Sequence, residues 1–121
     1  MQEKDILLEL LGDNLVGKLT YKGVELYPKV DAASIYKSTY LLNKAETAIK
    51  EFDKNRENPV LKVKAEKAAI QIYEAICLIY AEEEYEKIMG MNLYLKDLAH
   101  LVRSASKLFN MREEEANKKK N

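Results

Sequence analysis

The chain has 121 residues, of which 47 % are hydrophobic and 33 % charged, a balance that fits one globular domain and excludes disorder along its whole length. Its 20 basic and 20 acidic side chains cancel to a formal net charge of zero, so the basic excess usual in nucleic-acid-binding modules is absent. Cys77 is the single cysteine, which excludes an intramolecular disulfide and favours a reducing, cytoplasmic location.

The first predicted element is a helix over residues 2–11, where leucine and isoleucine supply a broad apolar face and Gly12 is a natural C-terminal stop. Residues 13–29 are less regular. Apolar residues flank Lys22 and Gly23, a pair that fits the turn of a short β-hairpin near residues 15–27. An ordered loop or a broken helix fits this segment equally well.

Two one-faced amphipathic helices are predicted further on. The second helix covers residues 32–54, with Asp31 as its N-cap, and its apolar residues recur with a heptad spacing. The fourth helix covers residues 92–115 and has the same type of pattern. Residues 117–121 are polar and are expected to fray.

The third helix is predicted over residues 59–89, because Asn58 is a good N-cap, Pro59 is tolerated in a first turn, and Gly90 provides a stop. The four helices together predict an all-α fold, an antiparallel bundle in a single domain over residues 1–116. Abundant Glu, Lys, Ile and Tyr, with little Gln and Cys, resemble the residue usage of thermophiles.

The third helix is apolar on two sides, whereas an ordinary surface helix has one apolar side. One stripe contains Leu61, Ala65, Ala68, Ile72, Ala75 and Ile79. The roughly opposite stripe contains Val63, Ile70, Tyr73, Cys77 and Tyr80. Burial between the second and fourth helices is the commoner explanation of such a pattern. The alternative is that this second stripe is an interface for self-association, for which a symmetric homodimer is the default and tyrosine is a favoured residue.

A basic stripe is predicted on the outer face of the fourth helix. It contains Lys96, His100, Arg103 and Lys107, and His100 is expected to face solvent. These residues are the candidate contact for an anionic partner, including nucleic acid. The stripe has no interleaved aromatic residues, so a plain solvated face is the commoner interpretation.

No catalytic, metal or cofactor motif is evident in the sequence. Asp97 and His100 echo the Glu-x-x-His spacing of di-iron bundles, but such sites need two of these motifs pointing inward. The acidic run over residues 82–86 is interpreted as a solvated end of the third helix, where negative charge is slightly unfavourable. Cys77 is interpreted as a small core residue. The most apolar segment, residues 68–81, is too short to cross a bilayer, so no membrane association is expected.

Residues 65–76, with the flanking helices over residues 32–52 and 95–109, resemble the helix series of small, archaeal-type HEPN-like domains. The resemblance covers residues 31–109 and implies an antiparallel bundle of four or five helices that commonly dimerises. Ribonucleases of this family carry Arg, four to six residues, then His on a late helix. Residues 93–95, at that distance before His100, include no arginine. The resemblance therefore implies a non-catalytic member that acts as a partner or nucleotide-associated module.

The leading hypothesis from the sequence is a non-enzymatic helical-bundle protein that acts by self-association and partner binding, without a cofactor. The alternative is a nucleic-acid-associated accessory protein, of viral, plasmid or defence-system type, that uses the basic stripe. An enzyme with a site in the bundle core is the least favoured hypothesis.

Overall fold

The computed structural model describes residues 5–11 and 14–120. The described chain is mostly helical, with three strands that precede four helices. The elements are β1 (Ile6–Leu11), β2 (Asn14–Tyr21), β3 (Val24–Leu26), α1 (Ala32–Lys54), α2 (Pro59–Ile79), α3 (Glu82–Gly90) and α4 (Leu95–Lys120). The strands form one antiparallel sheet in the order β1-β2-β3, which an all-α class does not include. None of the helices in the described residues is long and apolar enough to cross a membrane.

The predicted helix over residues 2–11 is wrong, because Ile6–Leu11 forms strand β1 and pairs antiparallel with β2. Ile6 lies opposite Leu19, and both are buried, whereas Leu7 is exposed. This alternation is that of a half-buried strand. The leucine-rich run favours a helix locally, but pairing with a second strand decides its conformation. Gly12, the predicted helix stop, lies outside the described residues.

Residues 14–26 form the hairpin of β2 and β3, one of the three structures that the sequence left open. Lys22 and Gly23 occupy its turn with φ of 49° and 81°. Two successive positive φ values are typical of a type I′ turn, whose twist matches that of the paired strands. Thr20 lies opposite Glu25 in the β2–β3 pair. Because β2 also pairs with β1, the hairpin and β1 form one sheet.

The N-termini of α1 and α2 are capped as predicted. The Asp31 carboxylate accepts a hydrogen bond from the Ser34 backbone N–H at 3.0 Å. The Asn58 side-chain oxygen accepts from the backbone N–H groups of Val60 and Leu61, at 2.9 and 3.2 Å. Each cap satisfies donors that have no partner inside the helix.

The predicted third helix is interrupted, and its continuity to residue 89 is wrong. Tyr80 and Ala81 are extended, with ψ of 126° and 167°. The Ile79 carbonyl accepts a hydrogen bond from the Lys29 N–H at 2.7 Å, and the Tyr80 ring turns into the core, where its hydroxyl donates to the Leu101 carbonyl at 3.0 Å. The acidic run therefore begins α3, so the prediction that it lies near a helix C-terminus is also wrong.

The three long helices contact one another and enclose the core. Each of the three helices has alanine at buried positions, which leaves room for close helix approach. These residues are Ala45, Ala68, Ala75 and Ala105. Strands β1 and β2 contact α4, and β3 contacts α3. Helix α4 continues to Lys120, beyond the predicted end near residue 115 and into the segment predicted as a polar tail.

Candidate functional site

The outer side of α2 carries large apolar side chains that are exposed. Ile70 is 60 % exposed and Val63 is 51 % exposed. Tyr73 and Cys77 are exposed on the same side, and Val60 extends it by one turn toward the helix start. These five residues are called the α2 outer face below. Single exposed apolar residues are normal, but a contiguous group marks an interaction surface.

Helix α2 exposes this face because its apolar residues recur at two angles around the helix axis. The buried side consists of Ala68, Ile72, Ala75, Ile76 and Ile79. Since each residue rotates the side chain by about 100°, Ile70 points about 160° away from Ile72. Helices α1 and α4 both contact α2, and the buried side of α2 faces the core. The α2 outer face is left toward solvent.

The structure divides the stripe that the sequence grouped together. Val63, Ile70, Tyr73 and Cys77 lie on the exposed face, so burial of these four between the second and fourth helices is wrong. Cys77 in particular is exposed, not the core residue that its apolar neighbours indicated. Tyr80 lies apart from them, because the helix ends at Ile79 and the Tyr80 side chain is buried.

Tyr73 connects the α2 outer face to a cleft. The cleft has a volume of about 170 Å³, and its other lining residues come from α3, α4 and the segment between them. They are Ile88, Met89, Asn92, Leu93 and Leu98. A typical ligand pocket has about 300–1,000 Å³, so this cleft is small for a cofactor. The cleft lies next to the α2 outer face, at Tyr73.

The predicted basic stripe of α4 is partly engaged within the chain. The Arg103 guanidinium forms a short ion pair with the Glu46 carboxylate of α1. His100 is half-buried, not fully solvent-facing as predicted, and its ring lies 6.1 Å from the Tyr21 ring. Burial lowers the pKa of His100 below its usual value, which favours the neutral imidazole. Lys96 and Lys107 are exposed. Because Arg103 is paired with Glu46, the stripe presents less positive charge than the sequence indicated.

Asp97 is the most engaged acidic residue beside this stripe, and sequence inspection did not identify its role. The Tyr21 hydroxyl donates a short hydrogen bond to its carboxylate, and the Tyr94 N–H donates to it at 3.0 Å. The Lys22 ammonium lies 3.9 Å away. The hydrogen bond from Tyr21 holds the pKa of Asp97 below its usual value. Asp97 therefore caps the start of α4 and ties the hairpin to it.

These contacts explain why Asp97 points inward without assigning it chemistry. Its oxygens accept from Tyr21 and from the backbone, and His100 lies beside the same surface depression. Within residues 5–11 and 14–120, no group of three or more His, Cys, Asp or Glu side chains is arranged to hold a metal ion. The α2 outer face remains the surface with the clearest unexplained feature.

No family model, no curated protein and no solved structure matches this chain. A function for it therefore has to be argued from its own residues.

Proposed function

We propose that this chain is a non-enzymatic protein that acts by binding a second copy of itself, and through the same surface other proteins, by the α2 outer face. The observation that supports this proposal is the exposure of Val63, Ile70 and Tyr73 on a helix whose opposite side lies in the core. A helix that is apolar on both sides is covered on both sides in its working state. The antiparallel bundle arrangement, the HEPN-like relationship and a cytoplasmic location belong to the same proposal.

The size of the face indicates weak, reversible association. Covering a half-exposed aliphatic or aromatic side chain contributes about 1 kcal/mol, since full burial contributes about 1.5–3 kcal/mol. The α2 outer face of two copies contributes a few such increments, and association itself has an entropic cost. The net binding free energy is therefore small, and we expect a dissociation constant weaker than micromolar, which corresponds to less than about 8 kcal/mol.

The nucleic-acid alternative has less support. Arg103 already forms an ion pair with Glu46, and burial lowers the pKa of His100, which disfavours a positive charge on its ring. Filter binding of single-stranded and duplex nucleic acid across a salt series tests this alternative directly. Tight binding that weakens with salt, and that is lost on Lys96→Glu plus Lys107→Glu, would favour it over self-association.

Light scattering coupled to size exclusion, over a range of protein concentrations, tests the proposed function. The mass of the wild-type chain should rise toward that of a dimer as concentration increases. Ile70→Asp should stay monomeric with an unchanged helical circular dichroism spectrum. Tyr40→Asp is the matched control, because Tyr40 is 66 % exposed and belongs to α1, not to the α2 outer face, and this variant should dimerise normally. A wild-type chain that stays monomeric at every concentration would contradict the proposal.

A further inference from the structure

The charged residues of the exposed side of α2 are ordered along the helix. Lys62, Lys64 and Lys67 lie in its first half, where Glu66 is the exception, and Glu74 lies in its second half. All five side chains are exposed. The next helix, α3, then begins with acidic residues. The exposed side of α2 is thus basic toward its start and acidic toward its end.

Two of these charges lie beside the apolar residues of the α2 outer face. Along the helix axis Lys67 lies between Val63 and Ile70, and at about 100° of rotation per residue its side chain points about 40–60° to one side of them. Glu74 has the same position relative to Ile70 and Cys77. Along the helix the face therefore alternates apolar and charged residues, with Ile70 at its centre and opposite charges on the two sides of it.

This order makes the face complementary to itself when it is reversed. We propose that two copies of the chain pair through antiparallel α2 helices, about a two-fold axis that passes between their Ile70 side chains. The proposal rests on the proposed function and names its partner and register. In this arrangement Lys67 of each copy meets Glu74 of the other, and Val63 meets Cys77. Each contact occurs twice, as a closed symmetric dimer requires.

Two further polar residues, Glu66 and Tyr73, fit the same register. Glu66 and Tyr73 lie on the other flank of the face from Lys67 and Glu74, by the rotation of about 100° per residue. Reversal about Ile70 brings Glu66 of one copy within one residue, about 1.5 Å along the axis, of Tyr73 of the other. A tyrosine hydroxyl donates well to a carboxylate, so the one acidic residue in the basic half also gains a partner.

A parallel pairing of the same faces is electrostatically less favourable. It brings the basic first halves of the two helices together, with Lys62, Lys64 and Lys67 of both copies at one end, and like charges held together are unfavourable. It also places the two Cys77 thiols in contact. In the antiparallel dimer each Cys77 lies about 10 Å from the axis along its helix, at a rise of about 1.5 Å per residue. The two thiols are then about 20 Å apart, beyond the Cα separation of about 4.4–6.8 Å that a disulfide requires.

Disulfide cross-linking of the full-length chain under mild oxidation tests the register. Ile70→Cys in a Cys77→Ser background should form a covalent dimer readily, because the two thiols meet at the axis. The wild-type chain, with Cys77 as its single cysteine, should form little. Val63→Cys with Cys77 retained should cross-link well, since these positions meet between copies. Cross-linking of the wild-type chain as fast as that of the Ile70→Cys chain would overturn the antiparallel register.

A charge exchange provides a second, non-covalent test. Lys67→Glu should weaken dimerisation about three- to tenfold, a modest effect because exposed ion pairs contribute little each. Lys67→Glu combined with Glu74→Lys should restore it, since the exchanged pair still has opposite signs in the antiparallel dimer. Failure of the double variant to recover would overturn the register. A chain that dimerises but fails both tests leaves the proposed function standing, whereas a chain that never dimerises contradicts both proposals.

Discussion

The hydroxyl of Tyr21 donates a hydrogen bond to the carboxylate of Asp97, and this bond joins the β-hairpin to the first turn of α4. Asp97 is only 7 % exposed, and the hydrogen bond from Tyr21 holds its pKa below the usual value. Burial, reinforced by the same bond, raises the pKa of Tyr21 to about 12. One contact therefore makes the stability of the fold sensitive to acid and to alkali.

Acid should weaken the fold through this contact. Because the pKa of Asp97 is lowered in the folded chain, its contribution to the free energy of unfolding is present above the unfolded-state pKa of about 4. That contribution is lost as pH falls through the folded-state value. Tyr21→Phe removes the main cause of the shift, so it should lower the free energy of unfolding by about 1–2 kcal/mol at neutral pH.

Urea unfolding of both chains at neutral pH and at a pH below the folded-state pKa of Asp97 checks this expectation. The difference in the free energy of unfolding between the wild-type chain and Tyr21→Phe should shrink in acid. Tyr40→Phe is the control, because the Tyr40 side chain is 66 % exposed. A difference that stays constant with pH would show that Asp97 is not the partner that matters.

Alkali should weaken the fold through the tyrosine. An unfolded tyrosine ionises near pH 10, whereas Tyr21 holds its proton until about pH 12 in the folded chain. The stabilisation is therefore complete below pH 10 and is lost as pH rises through 12. Burial also raises the pKa of Tyr80. Phenolate absorbance from these two residues should therefore develop only above pH 10 in the native chain, and Tyr21→Phe should remove one of these late transitions.

The parts of the fold that the sequence predicted well are those determined by neighbouring residues. Helix α1 begins at Ala32 and ends at Lys54 as predicted, because its heptad pattern and the Asp31 cap are both local signals. The start of α2 follows from Asn58 and Pro59 in the same way. The apolar residues of the candidate interface could be named too, since periodicity alone places Val63, Ile70 and Tyr73 on one side of a helix.

The parts that were missed depend on residues distant in the chain. Strand β1 depends on its pairing with β2, and the break after Ile79 depends on Lys29 and Leu101. The sequence drew attention to Asp97 only for its spacing from His100, because its partner Tyr21 lies 76 residues away. The exposure of Cys77 follows from α1 and α4 packing on the same side of α2, which helical periodicity cannot show.

Gly17 should resist substitution, because β2 lies close to α4 there. A Cβ atom added at Gly17 would lie 3.1 Å from a Leu108 methyl carbon and 3.4 Å from a Val30 methyl carbon. Leu108 is fully buried and has little room to move, so Gly17→Ala should cost about 1–3 kcal/mol of the free energy of unfolding. Thermal unfolding followed by circular dichroism measures this cost.

Gly90 provides the matched control for that substitution. It lies in α3, and a Cβ atom there would meet nothing within 4 Å. Gly90→Ala should leave the stability unchanged or increase it by up to about 1 kcal/mol, because alanine is the better helix former. Equal melting temperatures of the Gly17→Ala and Gly90→Ala chains would contradict close packing of β2 against α4.

The hairpin turn should be improved by one substitution. Lys22 adopts a φ of 49°, a conformation that is unfavourable for most side chains but that asparagine tolerates. Lys22→Asn creates the Asn-Gly pair preferred in such turns, so we expect a gain of about 0.5–1 kcal/mol in the free energy of unfolding. Lys22→Ala removes the same charge without favouring the turn and should give no gain. If the free energy of unfolding rises equally in both variants, the gain comes from loss of the lysine and not from the turn.

Cys77 should report on self-association through its reactivity. Its side chain is exposed in the isolated chain, so a thiol reagent should modify it completely in the folded protein without denaturant. In the proposed antiparallel dimer Cys77 lies against Val63 of the second copy, so the modification rate should fall as protein concentration rises. Ile70→Asp should abolish this dependence while it leaves the rate at low concentration unchanged. A wild-type rate that is independent of concentration would show that the α2 outer face stays open, and a uniformly slow rate would show that Cys77 is buried within a single chain.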